Sequence, residues 1–231
     1  MSKLAAMSFG ALAIAGAVAP ASAEGFQGFF AGVQIGDTFG DADSAQSTTV
    51  GGALSLPRGD YKLSALQGGV HAGYNHQFAN FVVGAVVDYN FIDVSGSDNG
   101  PGTATDDRNT LSLDSIVTLR ARGGWLAWQN TLLYATAGWA WMQGDSSIDF
   151  TVAATSTAES HGVDFSGFSY GLGAAFMIGD KTTMGFEWRH YSLDEERVSF
   201  RATNNGYDIG IEPDLDSVEL TFSYHFAGMM N

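Results

Sequence analysis

Apolar and polar residues alternate along the segment from Phe81 to Phe91. Its odd positions are Phe81, Val83, Ala85, Val87, Tyr89 and Phe91, and its even positions include Gly84, Asp88 and Asn90. Successive side chains of a β-strand point to opposite faces, so a period of two indicates a strand. The segment is therefore predicted to have one continuous apolar face and one face that accepts charged side chains.

The same period recurs along the chain and predicts eight strands. They cover residues 27–37, 65–77, 81–95, 112–126, 131–144, 165–178, 182–194 and 215–226. Short turns at 78–80, 127–130 and 179–181 alternate with long polar stretches at 38–64, 96–111, 145–164 and 195–214. This alternation predicts an all-β fold, an eight-stranded antiparallel up-and-down β-barrel with both chain ends on the side of the short turns.

The residues between the apolar positions indicate what surrounds the barrel. A soluble sandwich or lipocalin-like barrel also shows a period of two, but its polar face meets water and favours Lys, Glu and Asp. Here that face is mostly small or uncharged, as in the series Gln67, Gly69, His71, Gly73, Asn75 and the series Ser169, Gly171, Gly173. Small residues fit the inside of a narrow tube, which favours a transmembrane barrel whose apolar face meets lipid.

Aromatic residues of the apolar face are expected at two heights. The set near the short turns is Tyr74, Phe81, Trp125, Phe176, Tyr224 and Phe226, and the set near the long connections is Tyr89, Phe91, Trp139, Trp141, Phe168, Tyr170 and Trp188. Both interfaces of a bilayer favour aromatic rings, so two such girdles are typical of a membrane barrel.

The first 23 residues have the pattern of a signal peptide. Lys3 precedes an apolar stretch from Leu4 to Pro20, and small residues at 21–23 form a cleavage site before Glu24. The later chain has no apolar run of about 18 residues that would predict a membrane helix. We therefore expect a leader at 1–23 and, at 24–231, a barrel in the cell outer membrane with four long extracellular loops.

Composition narrows the classes of function. The chain contains no cysteine, which excludes disulfides and thiolate chemistry. Its formal net charge is −15, and removal of a leader with one lysine gives −15 − 1 = −16. So acidic a chain is not expected to bind nucleic acid. No Walker loop, Rossmann fingerprint or zinc-ligand spacing occurs, so no cofactor is predicted.

An ordered series of motifs resembles a known family. The motifs are Gly73–Gln77, Val83–Tyr89, Thr118–Gly123, Leu133–Gly138, Tyr170–Gly173, Glu187–His190 and the closing Val218–Phe226. They resemble successive strands of the small outer-membrane β-barrel proteins of alpha-proteobacteria, a family of porin-like surface antigens. The resemblance implies eight strands, no common catalytic residues, and a final aromatic read by the barrel-assembly machinery. Members include major surface antigens, proteins that support envelope integrity and some that bind haemin. This chain departs from them by continuing through Ala227–Asn231.

Charged residues on the non-apolar face are predicted to meet inside the barrel. Counted upward from the short turns, these residues lie at similar heights: Asp88, Arg120, Arg122, Glu187, Arg189 and Glu219. Three acids thus face three arginines, and eight strands enclose a lumen only wide enough for side chains. We expect a neutral, hydrogen-bonded plug that also involves His71 and Gln34. A proton or ion path through the same residues is the alternative.

One pair of residues suggests an enzyme. His190 and Ser192 resemble the His-x-Ser of outer-membrane lipid A deacylases, in which these residues act as base and nucleophile on the lipid-facing wall. The parity of the strand places both outward, but position 193 is Leu where that family has Asn, and no acid with the expected spacing follows. A hydroxyl without a placed base and orienting carboxylate is not activated. We therefore predict no catalytic residues.

Two kinds of ligand remain as expectations. Haemin binding by His76, His161 or His190 is an alternative, although no two of them have ligand spacing. Of the 25 acidic residues, three lie inside and two on the periplasmic side, which leaves 25 − 5 = 20 in the long connections or upper strand ends. Solvated loops explain these acids, and divalent cations that join them to lipopolysaccharide phosphates are the alternative. The sequence as a whole predicts a non-enzymatic structural and surface-exposed envelope protein that contacts outer-membrane lipid, with other envelope proteins as further candidate partners of its loops.

Overall fold

A computed structural model describes residues 25–48, 59–99, 108–128, 130–152, 155–200 and 207–226. The predicted leader at 1–23 and the tail Ala227–Asn231 lie outside these residues. Within the described part, no helix has the length and hydropathy needed to cross a bilayer.

Antiparallel strands account for nearly all of the described residues. They are β1 (Gly28–Thr48), β2 (Gly59–Phe78), β3 (Phe81–Asn99), β4 (Arg108–Trp128), β5 (Thr131–Val152), β6 (Thr155–Met177), β7 (Thr182–Leu193), β8 (Glu196–Phe200) and β9 (Tyr207–Phe226). Neighbours from β1 to β7 pair in chain order, and β7 then pairs with β9. Because β1 also pairs with β9, from Phe29 opposite Phe226 to Thr48 opposite Tyr207, the ring of hydrogen-bonded strands is closed. The predicted all-β up-and-down fold is confirmed.

β8 continues the line of β7 and does not add a further strand position to the ring. β7 pairs with both β6 and β9, whereas β8 pairs with β9 beyond the point where β7 ends. Asp194 and Glu195 interrupt the strand between β7 and β8. The backbone N–H of Asp194 still donates to the carbonyl of Ser166 on β6, at 2.8 Å. The described sheet thus has eight strand positions around the barrel, which correspond to the eight predicted strands.

The strands extend well beyond their predicted ends. Residues 145–164 were expected to form a long connection, yet the pairing of β5 with β6 continues as far as Val152 opposite Thr155. The same correction applies to the ends of β1, β2, β3, β4 and β9. Apart from Phe39, the outward side chains described in these extensions are mostly polar, such as Asp41, Asp93 and Asp145, so an apolar face no longer marks the strand. The continued pairing satisfies the backbone N–H and C=O groups that a loop would leave to water.

One irregularity changes which side chains of β4 face inward. The register of β4 against β5 shifts between Leu113 and Ser115, which leaves Asp114 as an extra residue. Below this bulge the even positions of β4, such as Thr118 and Arg120, are buried, and above it the odd position Leu113 is buried. A bulge inserts one residue into one strand of a pair and so reverses the faces beyond it.

The two faces of the wall have the polarity of a membrane barrel. The outer wall carries exposed large apolar side chains, including Phe29, Val33, Ile35, Leu66, Val70, Phe81, Val87, Phe91, Leu119, Trp125, Trp139, Trp141, Phe168, Leu172, Phe186, Leu220 and Phe222. Leu66 and Leu172 are 70% and 60% exposed, whereas the inward Asp88 and Arg189 are 2% and 1% exposed. A soluble protein buries its leucines and exposes its charges. The reverse arrangement is that of a wall that faces lipid.

Candidate functional site

The barrel interior is filled at three heights. Furthest from the short turns lies the upper core, an apolar cluster of Ala42, Leu63, Ile92, Val94, Leu111, Leu113, Ile116, Ala140, Met142, Val163, Phe165, Tyr191, Leu193, Val198, Ile209, Ile211 and Leu215. Nearest to the short turns lies the lower plug, formed by Phe26, Val82, Leu132, Tyr134 and Ala175. Between them lies the charge cluster, which consists of Asp88, Arg120, Glu187, Arg189 and Glu219 with their hydrogen-bond partners.

Arg189 contacts all three acids of the charge cluster. Its Nη1 lies 2.8 Å from Asp88 Oδ1, its Nη2 lies 3.0 Å from Glu219 Oε2, and its Nε lies 3.3 Å from Glu187 Oε1. Nη1 also donates to the hydroxyl of Tyr191 at 2.9 Å. Planar guanidinium groups have five donors, and Arg189 thus joins acids from three different strands.

Arg120 completes the cluster from the opposite wall. Its Nη2 lies 2.8 Å from Asp88 Oδ2, and its Nη1 contacts Glu187 Oε1. Nη1 also donates to Thr136 Oγ1 at 2.8 Å. Thr118 Oγ1 accepts from Arg120 Nε at 3.0 Å and donates to Asp88 Oδ2 at 2.6 Å. Asp88 and Glu187 therefore each contact both arginines, and Glu219 contacts Arg189.

The strand register explains why these groups need each other. Glu187 on β7 lies directly opposite Glu219 on β9. Like charges at opposite positions repel, and burial of both would be costly without a cation between them. Arg189 supplies that cation, while Gln67 Nε2 at 2.7 Å and Ser217 Oγ at 3.2 Å donate to Glu219 Oε1.

Gln34 and His71 form a neutral network beside the cluster. Gln34 Nε2 donates to Asn90 Oδ1 at 2.6 Å, and Gln34 Oε1 lies 3.0 Å from His71 Nδ1. Because an amide oxygen only accepts, Nδ1 of His71 is the donor. His71 Nε2, 2.8 Å from Ser223 Oγ, then accepts from that hydroxyl in the neutral imidazole.

Arg122 is a correction to the predicted network. It occupies the inward position of β4 next below Arg120, and among the described residues it has no carboxylate partner. Its guanidinium carbon instead lies 4.1 Å from the ring centroid of Tyr134 and 5.3 Å from that of Phe30. Arg122 lies two residues, about 7 Å, below Arg120 along β4. The ring of Tyr134 that it contacts carries the hydroxyl that donates to Glu187 Oε2 at 3.0 Å. The alternation of residues along β4 predicted that Arg122 faces inward, but not that it would lie out of contact with the acids.

Ser192 and His190 lie on the outer wall, as their parity predicts, and a nearby acid was missed. His190 Nδ1 lies 3.1 Å from Asp216 Oδ1, and its Nε2 lies 3.4 Å from Asp214 Oδ1. Asp216 is opposite His190 and Asp214 is opposite Ser192 in the pairing of β7 with β9. The statement that no acid is suitably placed is thus wrong for Asp216, which could orient the imidazole. Only the long-range pairing of β7 with β9 reveals it.

A second carboxylate, that of Asp214, nevertheless lies beside the imidazole nitrogen that catalysis would need. In a Ser-His-Asp triad the acid orients one imidazole nitrogen and the other takes the serine proton. Here both nitrogens of His190 face carboxylates. A general base needs its free nitrogen within hydrogen-bond reach of the serine hydroxyl, and here Asp214 lies beside that nitrogen. No hydrogen bond joins Ser192 to His190 in the described part of the chain.

The histidines considered for haemin do not converge. His76 lies on the outer wall near the short turns, where its ring centroid is 6.2 Å from that of Phe78. His161 lies high on β6 and pairs with Glu159 at 2.8 Å. His190 is held by β9, as above. The described residues contain no group of three or more His, Cys, Asp or Glu side chains arranged to hold a metal ion.

An acidic collar surrounds the outer wall just above the apolar belt. Its members are Asp41, Asp43, Asp93, Asp114, Asp145, Asp164, Asp194, Glu212, Asp214 and Asp216. Two pairs of them lie directly opposite each other on β1 and β9, Asp41 with Asp214 and Asp43 with Glu212. Such like-charge pairs are destabilising unless a cation lies nearby.

Comparison with known proteins identifies the family. The sequence model of the outer membrane protein beta-barrel domain family matches residues 9–226. The chain belongs to this family. Two curated relatives, the 31 kDa outer-membrane immunogenic proteins of Brucella melitensis biotype 1 and Brucella suis biovar 1, are each 26% identical over 175 residues, which cover 75% of this chain and 71% of theirs. The expected family resemblance and the outer-membrane location are confirmed.

Two solved structures share the fold. The outer membrane protein OprG of Pseudomonas aeruginosa aligns with a TM-score of 0.56 and 13% identity, over 89% of this chain and 99% of that one. The outer membrane protease OmpT of Escherichia coli aligns with a TM-score of 0.56 and 10% identity, over 87% of this chain and 97% of that one. At these identities the likeness concerns the outer-membrane barrel fold alone.

Replacement of Arg189 by Met should strongly destabilise the barrel. The substitution keeps an unbranched side chain but leaves buried Glu219 with no contacting cation and Asp88 and Glu187 with Arg120 alone, so we expect a loss of about 3–5 kcal/mol in the free energy of unfolding. Urea unfolding of the protein in phospholipid vesicles measures it.

Arg197→Met is the matched control, since Arg197 is exposed and pairs with the exposed Glu195. Its unfolding midpoint should stay near that of the wild type. Equal effects of the two substitutions would contradict the role assigned to Arg189.

Proposed function

We propose that this protein is a closed, non-enzymatic barrel with a structural and surface-exposed role in the outer membrane. The observation that carries the proposal is the filled lumen. The upper core, the charge cluster and the lower plug follow one another along the axis, and their members are almost all buried. A barrel of eight strands has an interior just wide enough for side chains, so such layers leave no continuous path for solutes.

The relatives support a surface role. The Brucella proteins are named as outer-membrane immunogenic proteins, and they match three quarters of this chain. The extended strands carry polar side chains beyond the apolar belt, which would project the wall above the lipid. A rigid paired wall of this kind suits display at the cell surface and support of the envelope.

The purified protein should form no stable channels in planar lipid bilayers. Arg120→Ala should also stay closed, because the upper core and the lower plug block the axis independently of the charge cluster. Single-channel recording tests both proteins. Regular current steps that disappear after heat denaturation of the wild type would refute the closed barrel and favour the ion path.

An esterase that acts on lipid A is the second candidate, and the Asp216–His190 contact is the observation in its favour. We expect no such activity, because Asp214 lies at the nitrogen that would accept the serine proton. Mass spectrometry of lipid A should give the same acyl pattern from cells that express the wild type, Ser192→Ala or no protein. Loss of an acyl chain that requires Ser192 would show that the protein is a deacylase.

The acidic collar is proposed to bind lipopolysaccharide phosphates through divalent cations. Asp41 and Asp214 would supply part of the ligands of such a cation, and phosphate oxygens would supply the rest. In vesicles that contain lipopolysaccharide, MgCl₂ should raise the thermal unfolding midpoint of the wild type more than that of Asp41→Asn. Without Mg²⁺ the variant should stay close to the wild type in stability, since it removes both the repulsion from Asp214 and the attraction to Lys62, which lies opposite Asp41 on β2.

Asp180→Asn is the control for the collar, because Asp180 lies in the short turn between β6 and β7, at the opposite end of the barrel. It should keep the full response to Mg²⁺. The same response in all three proteins would mean that the collar is simply solvated.

A further inference from the structure

Arg122 is a cation inside the barrel whose hydrogen-bond donors are unused. Its contacts with Tyr134 and Phe30 are cation–π contacts, which hold the positive charge over the rings without using an N–H group. Its Nε is buried and has no hydrogen-bond partner among the described residues. The side chain is only partly buried, although it faces the inside of a closed sheet. There is therefore open space in the lumen next to the guanidinium.

Asn75 provides a second unpartnered group at the same height. Asn75 on β2 lies opposite Gly84 on β3, and Gly84 lies opposite Arg122 on β4. A Cβ at Gly84 would lie 2.4 Å from Asn75 Oδ1, so the Asn75 amide leans across Gly84 in the direction of β4. Asn75 is fully buried, yet neither its Oδ1 nor its Nδ2 has a hydrogen-bond partner in the described part of the chain.

A third unpartnered atom lies across the lumen. His225 on β9 is buried, its Nε2 lies 3.2 Å from Thr183 Oγ1, and its Nδ1 has no partner among the described residues. Its ring centroid lies 5.5 Å from that of Phe30, the same ring that contacts Arg122. Buried polar atoms without partners are rare. Arg122 and His225 each carry one beside the ring of Phe30, and Asn75 carries two at the level of Arg122, which indicates a place prepared for a polar ligand.

The surroundings restrict how a ligand would enter. Above Arg122 lies the charge cluster, and below it Phe26 packs in the lower plug at 1% exposure. The backbone N–H of Phe26 donates to Gln77 Oε1 at 3.1 Å, which fastens the segment before β1 across the end of the barrel. A ligand would thus have to be small, and it would have to pass Phe26 at the short-turn end or be enclosed as the barrel closes.

We propose that the lower lumen binds a small oxyanion, with the Arg122 guanidinium and the Asn75 amide as its donors. A guanidinium presents a planar fork of N–H groups that matches a carboxylate or a phosphate. The amide of Asn75 on β2 adds a neutral donor when it turns its NH₂ toward the ligand, and this rotation breaks no hydrogen bond because neither polar atom has a partner in the described part of the chain. An oxyanion here would neutralise the one arginine of the described interior that no carboxylate contacts.

The test uses the full barrel refolded in detergent micelles, with inorganic phosphate as the probe. Phosphate replaces chloride at constant ionic strength, and the ¹⁵N–¹H signal of Arg122 Nε is followed by NMR. We expect a saturable shift of this signal and a parallel rise in the thermal unfolding midpoint. Asn75→Ala should weaken the apparent affinity about tenfold, the effect of losing one hydrogen bond to a charged group.

Arg122→Gln should abolish the phosphate response, and Arg197→Gln, which removes an exposed positive charge, should keep it. Circular dichroism checks that each variant is folded. The NMR titration of the wild type decides the matter even if Arg122→Gln does not fold. A signal that does not move, or moves without saturation, would overturn the proposal, as would a phosphate response retained by folded Arg122→Gln.

Discussion

The hydrogen-bonded pairing of the first strand with the last is the constraint on which the rest of this structure depends. Lipid offers no partner to a backbone N–H or C=O, so a sheet can cross a bilayer only when it has no free edge. The pairing of β1 with β9, from Phe29 opposite Phe226 upward, removes that edge. Once the ring is closed, each strand must place one face in lipid and the other in the lumen, and the apolar belt follows from that choice.

Closure with eight strand positions also limits what the interior can contain. The lumen is too narrow for bulk water, so a charge that points inward has to find its partner among the neighbouring walls. Glu187 and Glu219 lie opposite each other on the paired strands β7 and β9, and the positive charge of Arg189 offsets their repulsion. The apolar layers above and below then separate this polar level from both aqueous compartments.

Sequence reasoning succeeded where the bilayer enforces strict alternation and failed where it does not. The ends of the strands within 145–164 were hidden, because outward residues in water are polar and only inward ones such as Val163 still indicate a strand. Parity gave the facing of Arg122 but not its distance from the acids. The contact of His190 with Asp216 depends on the register between strands whose residues lie 26 positions apart, which periodicity cannot supply.

The extra residue at Asp114 has a consequence for how such a chain can change its length. Below Asp114 the even positions of β4 face the lumen and the odd ones face lipid, whereas above it the odd positions face the upper core. A single-residue deletion elsewhere in β4 would turn one half of the strand inside out. Deletion of Asp114 would do the same, because the bulge is what lets Leu111 and Leu113 face the upper core while Arg120 faces the charge cluster.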